Sequence, residues 1–362
     1  MFLLVLATAS QPLLGQTNDS LSKRIGKISE ESAAGDNFSG SVLLARNGKV
    51  IYKNSFGFAD RKVKRKFLPE TPSSIASIGK VLTAVLILKL AETGKLSLTD
   101  PISKFLPAAN LVNADKITIK HLLTHTSGFG NYMEHQNYPK LQKSDFTFDD
   151  LIKLIADQQP VFNTPGEKFE YSNSGYIVLG KIIEIVTRKK YAEILKKEIL
   201  KPLKMKNTHF EINLKNFQNT ARGHRKSKKT GEWETDVSNR LPVFSSDGGI
   251  FTTAEDLFRF HRALFGGKII KPETFNEMKK RQVETVIPEL GKRAYGYGLM
   301  INDYENGVYS IGHNGGTFSF DARYKHFYKG QNEYTLIIIS NYGDSIRPIL
   351  KQVEKEILEY TD

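Results

Sequence analysis

The chain has 362 residues, of which 40% are hydrophobic and 25% charged, a balance that fits a globular protein and excludes a disordered or collagenous one. It has no cysteine, which removes disulfides, thiolate metal sites and a cysteine nucleophile together while leaving the compartment open. The formal charge of +13 comes with two local basic runs, DRKVKRKF at Asp60–Phe67 and GHRKSKKTG at Gly223–Gly231. Neither run carries the interleaved aromatics or the recognisable module of a nucleic-acid groove, so both read as solvated faces and no nucleic-acid partner is expected.

The start, MFLLVLATASQPLLGQTNDS, has a short apolar run from Phe2 to Ala9 followed by small and polar residues. It reads as an export segment without a basic n-region, and it is far shorter than the roughly 20 residues a membrane span needs. A periplasmic or secreted location follows as the expectation, with a cytoplasmic one as the alternative. Residues 1–16 read as leader, 17–37 as a polar leader and 38–362 as the folded domain. Within that domain, sheet is expected over about 38–100 and 245–362 and helix over about 101–244.

The segment SGSVLLARNGKVIYKNSFGFAD predicts a hairpin turned at Asn47-Gly48. Ser77 to Leu90 predicts a helix apolar on nearly every side and closed by Gly94, which therefore belongs between layers. Helical patterns fill the middle: ITIKHLLTHTSG, FTFDDLIKLIADQ and SNSGYIVLGKIIEIVTRKKYAEILKKEIL. GGIFTTAEDLFRFHRALFGG then places a short strand before a helix capped by Thr253, with Glu255 and Asp256 in its first turn. Four strand-like segments, GYGLMIND, GVYSIGHNG, FSFDARYKHFYKG and EYTLIIISNYG, precede a last helix, IRPILKQVEKEILEY. The ends of the chain thus supply sheet and the middle supplies helix: an α/β (α+β) fold, a sheet flanked by helices with a helical insertion.

Three clusters carry chemistry. Ser77 and Lys80 share a helix face at i and i+3, so the ammonium can lie against the serine hydroxyl and take its proton once desolvated. An N-cap serine followed by a snorkelling lysine would give the same spacing. Tyr171 and Asn173, in EYSNSG before a long helix, can relay a proton and offer an amide to Lys80 and to a substrate. An aromatic packed before a cap is the plainer reading of that pair. His313, Asn314, Gly315 and Gly316, in YSIGHNGGTFSF, make a strand that a substrate can approach closely. There the Gly316 and Ser77 amides could form an oxyanion hole, with His313 a donor to the substrate or to Tyr171. No metal or cofactor is expected, since no ligand spacing such as HExxH occurs.

The ordered set SIGK, YSN and HNG resembles the SxxK, YxN and KTG or HxG elements of the serine β-lactamase and penicillin-binding superfamily. The similarity is to its class C-like branch, with D-aminopeptidases, D-alanyl-D-alanine carboxypeptidases and esterases. HLLTHTSG, NTPGEKFEYSNSGYIVLG and GGIFTTAEDLFRF extend the resemblance from about Phe38 to the C-terminus. It implies a β-lactamase/transpeptidase-like fold with an antiparallel sheet. It also implies Ser77 as the acylated nucleophile, Lys80 as the activating base and Tyr171 as the group that protonates the leaving group and activates water. Asn173 would order Lys80 and contact the acyl amide. His313 stands where penicillin-hydrolysing class C enzymes have lysine, which shifts the expectation from an antibiotic-degrading enzyme to an esterase, amidase or D-amino-acid peptidase. The partner expected is a small molecule or peptide, with peptidoglycan fragments as one candidate source. A β-lactamase or carboxypeptidase proper, and a non-catalytic penicillin-binding or peptidoglycan-sensing protein, are the alternatives. The sequence leaves the oligomeric state open.

Overall fold

The computed structural model describes residues 20–142, 146–209, 218–227, 229–235, 245–287 and 291–361. The expected leader 1–16 lies outside them.

An eight-stranded antiparallel sheet forms the frame. Its strands are β1 (Gly40–Arg46), β2 (Lys49–Phe56), β3 (Val283–Ile287), β4 (Gly291–Tyr295), β5 (Met300–Asp303), β6 (Tyr309–Gly316), β7 (Asp321–Lys329) and β8 (Asn332–Ser340). Their spatial order is β2-β1-β8-β7-β6-β5-β4-β3, so the first hairpin closes on the last strand, with Gly40 opposite Ser340 and Arg46 opposite Tyr334. The expected turn is there, with Asn47 at φ 49° and Gly48 at φ 75°, the left-handed pair that matches strand twist.

Period-two patterning splits the core in two. Val42, Leu44, Leu336 and Ile338 face one side; Leu43, Ala45, Ile337 and Ile339 face the other. The first side is covered by α1 (Ser20–Ala34) and by the C-terminal helix Ile346–Glu359, through Leu21, Ile25, Ile349, Val353 and Ile357. The second is covered by α2 (Gly79–Glu92) and by the Thr253-capped helix Ala254–Phe265, and it continues into the helical part. That part contains α3 (Ile119–Leu123), α4 (Phe148–Ala156) and α5 (Asn173–Thr187). Helix α2 is buried on every side through most of its length, as its all-round apolar pattern requires.

Two features depart from the expectations. The segment expected as a polar leader, 17–37, contains α1, which is part of the core. Its buried face mixes Leu21 and Ile25 with Ser22, Gly26 and Ser29, so the apolar period is diluted. The serines satisfy their hydroxyls on carbonyls, Ser22 on Ile51 at 2.8 Å and Ser29 on Ile25 at 2.7 Å, and Gly26 admits the Tyr52 ring. The edge hairpin β3–β4 was also missed, because VETVI and GKRAY interrupt their apolar residues with charge. Among the described residues no helix is long and apolar enough to cross a membrane.

Ile25→Ala should lower the unfolding free energy by about 2–4 kcal/mol in urea titrations, the cost of a buried large-to-small change. A leader trailing in solvent would leave the midpoint where it was.

Candidate active site

Ser77 lies on a one-turn 3₁₀ segment, Ala76–Ile78, that feeds α2; the α-helix itself begins at Gly79. Ala76 holds φ 43°, a left-handed conformation that costs a residue with a Cβ about 1–2 kcal/mol. Neighbouring backbone holds it there: the Ile75 amide donates to the Ile250 carbonyl at 3.1 Å and the Ile78 amide to Ile75 at 3.1 Å. Strained backbone of this kind persists where the surroundings over-determine it, and here it presents the serine beside the strand β6.

Two glycines set the distances around this turn. A Cβ on Gly79 would come within 2.7 Å of the Gly248 carbonyl oxygen, so the start of α2 touches the Gly248 backbone directly. A Cβ on Gly315 would lie 2.0 Å from the Ile75 carbonyl oxygen and 3.3 Å from the Ser77 nitrogen. Only glycine lets β6 approach the serine turn this closely. Gly316, next along, has open space where its Cβ would be.

Lys80 is fully buried, so its ammonium needs acceptors from protein. It donates to Ser77 Oγ at 3.0 Å, to Asn173 Oδ1 at 2.8 Å and to the Asp247 carbonyl at 2.8 Å. Two of the three N–H groups are thus held by groups that only accept, and the third position faces Ser77. With the proton present it donates to Oγ; with the proton gone the lone pair faces the serine O–H along the same line. Proton exchange between the two groups needs no movement of either.

Asn173 opens α5 and its amide is oriented from both ends. Lys80 fixes Oδ1, and Nδ2 donates to Asn131 Oδ1 at 3.2 Å with Met133 Sδ at 3.9 Å. Ser172 caps the helix, its hydroxyl accepting from Gly175 N at 3.2 Å and donating to the Gly130 carbonyl at 2.9 Å. Tyr171 precedes the cap with its ring 5.0 Å from Lys80 Nζ, and it packs against His125 at 4.3 Å between centroids. The Asp247 carboxyl is buried near this group, receiving the Tyr132 hydroxyl at 3.4 Å. Burial pushes that carboxyl above its ordinary range, while the Lys80 charge acts in the opposite direction.

The structure therefore brings Ser77, Lys80, Tyr171 and Asn173 together and sets Gly315 and Gly316 along the serine turn. His313 differs from expectation. It is buried behind the β6 surface, with Nε2 at 2.9 Å from the Tyr295 hydroxyl and Nδ1 at 2.6 Å from the Asn314 carbonyl. Both nitrogens are engaged, so neither is available to a substrate or to Tyr171. Burial first, and then the Lys80 charge, push its pKa down to about 3. Among the described residues no group of three or more His, Asp or Glu side chains is arranged to hold a metal ion.

The family model for Beta-lactamase matches residues 26–349. The chain belongs to the beta-lactamase family. Similar members include Protein flp of Staphylococcus aureus (strain MRSA252), 28% identical over 92% of this chain and 65% of its own. The chain thus spans less than two thirds of that relative's length. Among solved structures, an octameric penicillin-binding protein homologue from Pyrococcus abyssi is 26% identical, covers 94% of this chain and 77% of its own, and superposes with a TM-score of 0.80. A D-stereospecific amidohydrolase from Streptomyces sp. is 25% identical over 94% of this chain and 99% of its own, with a TM-score of 0.73.

Within this beta-lactamase frame, sequence reasoning missed Asn131, Asp247, His125 and Tyr295. Asp247 contributes its main-chain carbonyl to Lys80, which no residue-type pattern signals. Asn131 acts only through Asn173. His125 stands in the HLLTHTSG phrase, a visible signal whose role depends on Tyr295, far along the chain.

Gly315→Ala should push β6 away from the serine turn. We expect acylation by a fluorophosphonate probe to slow by about 100-fold, the scale for a misplacement near 1 Å. Labelling at the wild-type rate in a protein with an unchanged melting temperature would show that the contact has no such role.

Proposed function

We propose that the protein is a serine hydrolase working through a covalent acyl-enzyme. The observation that carries this reading is the Lys80 Nζ, fully buried and seated between Ser77 Oγ at 3.0 Å and Asn173 Oδ1 at 2.8 Å. Ser77 attacks a carbonyl while Lys80 takes its proton, and the oxyanion rests on the Ser77 and Gly316 amides. Tyr171, whose ring packs over Lys80, passes that proton to the leaving group and then activates the water that releases the acyl group. Asn173 keeps Lys80 in place and meets the acyl side chain.

The substrates proposed are esters, amides and D-amino-acid peptides or amides, with peptidoglycan-derived peptides among them. Support comes from the family, from the D-stereospecific amidohydrolase among the similar structures, and from the buried His313 where penicillin-hydrolysing enzymes have an ammonium. A periplasmic or secreted location is proposed from the apolar stretch at Phe2–Ala9.

Incubation with a fluorophosphonate or a penicillin probe should label one residue per chain, and Ser77→Ala should remove the label. Absence of labelling by both probes would overturn the acyl-enzyme reading. Lys80→Met should retain the fold and slow acylation by about 100-fold or more, the usual contribution of a general base; an unchanged rate would remove Lys80 from the mechanism. Nitrocefin, p-nitrophenyl esters and D-aminoacyl anilides, tested on wild type and Ser77→Ala, separate the substrate classes. A product burst with no steady state would instead mark a penicillin-binding protein without turnover.

A further inference from the structure

The two basic runs, far apart along the chain, meet in the fold. DRKVKRKF carries five cations and one acid, and GHRKSKKTG four cations and no acid. The first run lies on a hairpin of Phe58–Asp60 against Arg65–Lys66, and the second opens another, His224–Lys226 against Trp233–Thr235. The Arg222 amide donates to the Ala59 carbonyl at 2.6 Å, the Arg65 guanidinium donates to the Thr220 carbonyl, and the Arg61 guanidinium stands 5.5 Å from the Trp233 ring. The bases of both hairpins share a small apolar cluster of Ala59, Phe67, Ala221, Phe251 and Phe320. Phe320 follows the end of β6, so the hairpins stand beside the strand end that carries Gly315 and Gly316.

Arginines and lysines play different parts on this surface. Arg61 pairs with Asp36 at 2.6 Å, Arg222 with Asp60 at 3.8 Å and Arg225 with Glu234 at 3.9 Å, so the arginines tie the hairpins down. Lys62, Lys64, Lys66, Lys226 and Lys229 are exposed, and none has a carboxylate within ion-pair distance among the described residues. Lys66 lies instead over the Phe58 ring at 4.9 Å and Lys226 over Trp233 at 5.2 Å. Like charges gathered in this way repel one another, and an anion outside the chain relieves that repulsion. The acids nearby are fewer: Glu31 and Asp344 share a groove with Lys226 and Lys229, and Glu70 and Glu232 follow the two runs in sequence.

Apolar side chains stand among these lysines. Val63 occupies the turn in which the Lys64 amide donates to the Arg61 carbonyl at 3.2 Å; it is 68% exposed between Lys62 and Lys64. Leu68, just past the hairpin, is 48% exposed. Phe318, in the turn from β6 to β7, is 82% exposed and shares the groove of Lys226, Lys229 and Trp233. A soluble polyanion uses the lysines and gains nothing from an isopropyl group at the tip. A bilayer with anionic headgroups takes both, the ammonium groups at its phosphates and the apolar side chains at the acyl boundary.

We propose that the two hairpins form a docking surface for an anionic lipid bilayer, with Lys62, Lys64, Lys66, Lys226 and Lys229 meeting the headgroups and Val63 and Leu68 entering the interface. Such docking is peripheral and needs no membrane-spanning helix. It holds the β6 end of the cleft next to the headgroups, where acyl donors attached to the bilayer surface are within reach. The proposal does not depend on the hydrolase reading.

Co-sedimentation of the full chain with vesicles tests it. Vesicles containing about one third phosphatidylglycerol should bind the protein, vesicles of phosphatidylcholine alone should not, and about 0.5 M salt should release it. Lys62→Gln combined with Lys64→Gln should weaken binding by about 25-fold, at about fivefold for each cation near an anionic surface. Val63→Ser combined with Leu68→Ser leaves every charge in place and should weaken it by about tenfold. All four side chains are exposed, so the melting temperatures should stay at the wild-type value. Equal binding to both kinds of vesicle, or a lysine variant that binds as the wild type does, overturns the proposal. A Val63→Ser, Leu68→Ser protein with wild-type affinity overturns it too, and assigns the surface to a soluble polyanion if inorganic polyphosphate competes with the vesicles.

The chain's one tryptophan supplies a local readout. Trp233 packs against Tyr342 at 3.9 Å between centroids, with Arg61 and Lys226 over its ring, and its emission should move to shorter wavelength when anionic vesicles are added. Vesicle binding that leaves the emission unchanged would place the contact elsewhere, such as the apolar start of the chain, and overturn the proposal.

Discussion

One ammonium inside the protein organises the site. Lys80 sits in a helix that is apolar all round, and a charge there is tolerated only while its three hydrogens meet oxygens. Those oxygens come from three parts of the chain: the serine one turn earlier, an amide at the head of α5, and a carbonyl beside the close Gly79–Gly248 contact. The cost of a buried charge thus becomes a condition on tertiary structure. The helical part, the Asp247–Gly248 turn and α2 must meet in one arrangement, and the geometry that satisfies the lysine is also the one that aims it at Ser77. Stability and reactivity share the same three contacts.

The sheet supplies the rigidity that this arrangement needs. Its two faces are fixed by alternation in β1 and β8, and a one-residue slip would put Val42 and Leu44 where Leu43 and Ala45 belong. With the register pinned, β6 has a set height relative to α2, and the Gly315 backbone can rest against the Ile75 carbonyl. The left-handed Ala76 is held between these rigid partners, and the nucleophile emerges from a turn with little freedom to relax.

Much of this was legible in the sequence, and the exceptions have physical causes. The Asn47-Gly48 hairpin, the buried α2, the Thr253 cap and the Ser77–Lys80 contact follow from turn chemistry, period and spacing, whereas the meeting of that pair with Tyr171 and Asn173 is what the family resemblance implied. Helix α1 was hidden because serines and a glycine occupy its buried face and satisfy themselves on carbonyls. The role of Asp247 was hidden because its main chain, not its side chain, holds the lysine. His313 was found as a residue but not as a partner: its orientation is decided by Tyr295, and spacing along a sequence says nothing about which neighbour a ring nitrogen will choose.

The hydrogen bonds that run from the Ser172 amide through His125, the Tyr295 hydroxyl and His313 to the Asn314 carbonyl also bear on how protons travel. A conducting wire must take up a proton at one end and release one at the other. This one begins on a peptide N–H that holds its hydrogen and ends on a carbonyl with none to give. It is a dead end for charge, and it lies directly behind Tyr171 and Lys80. A proton lifted from the serine therefore has no outlet along this chain of groups.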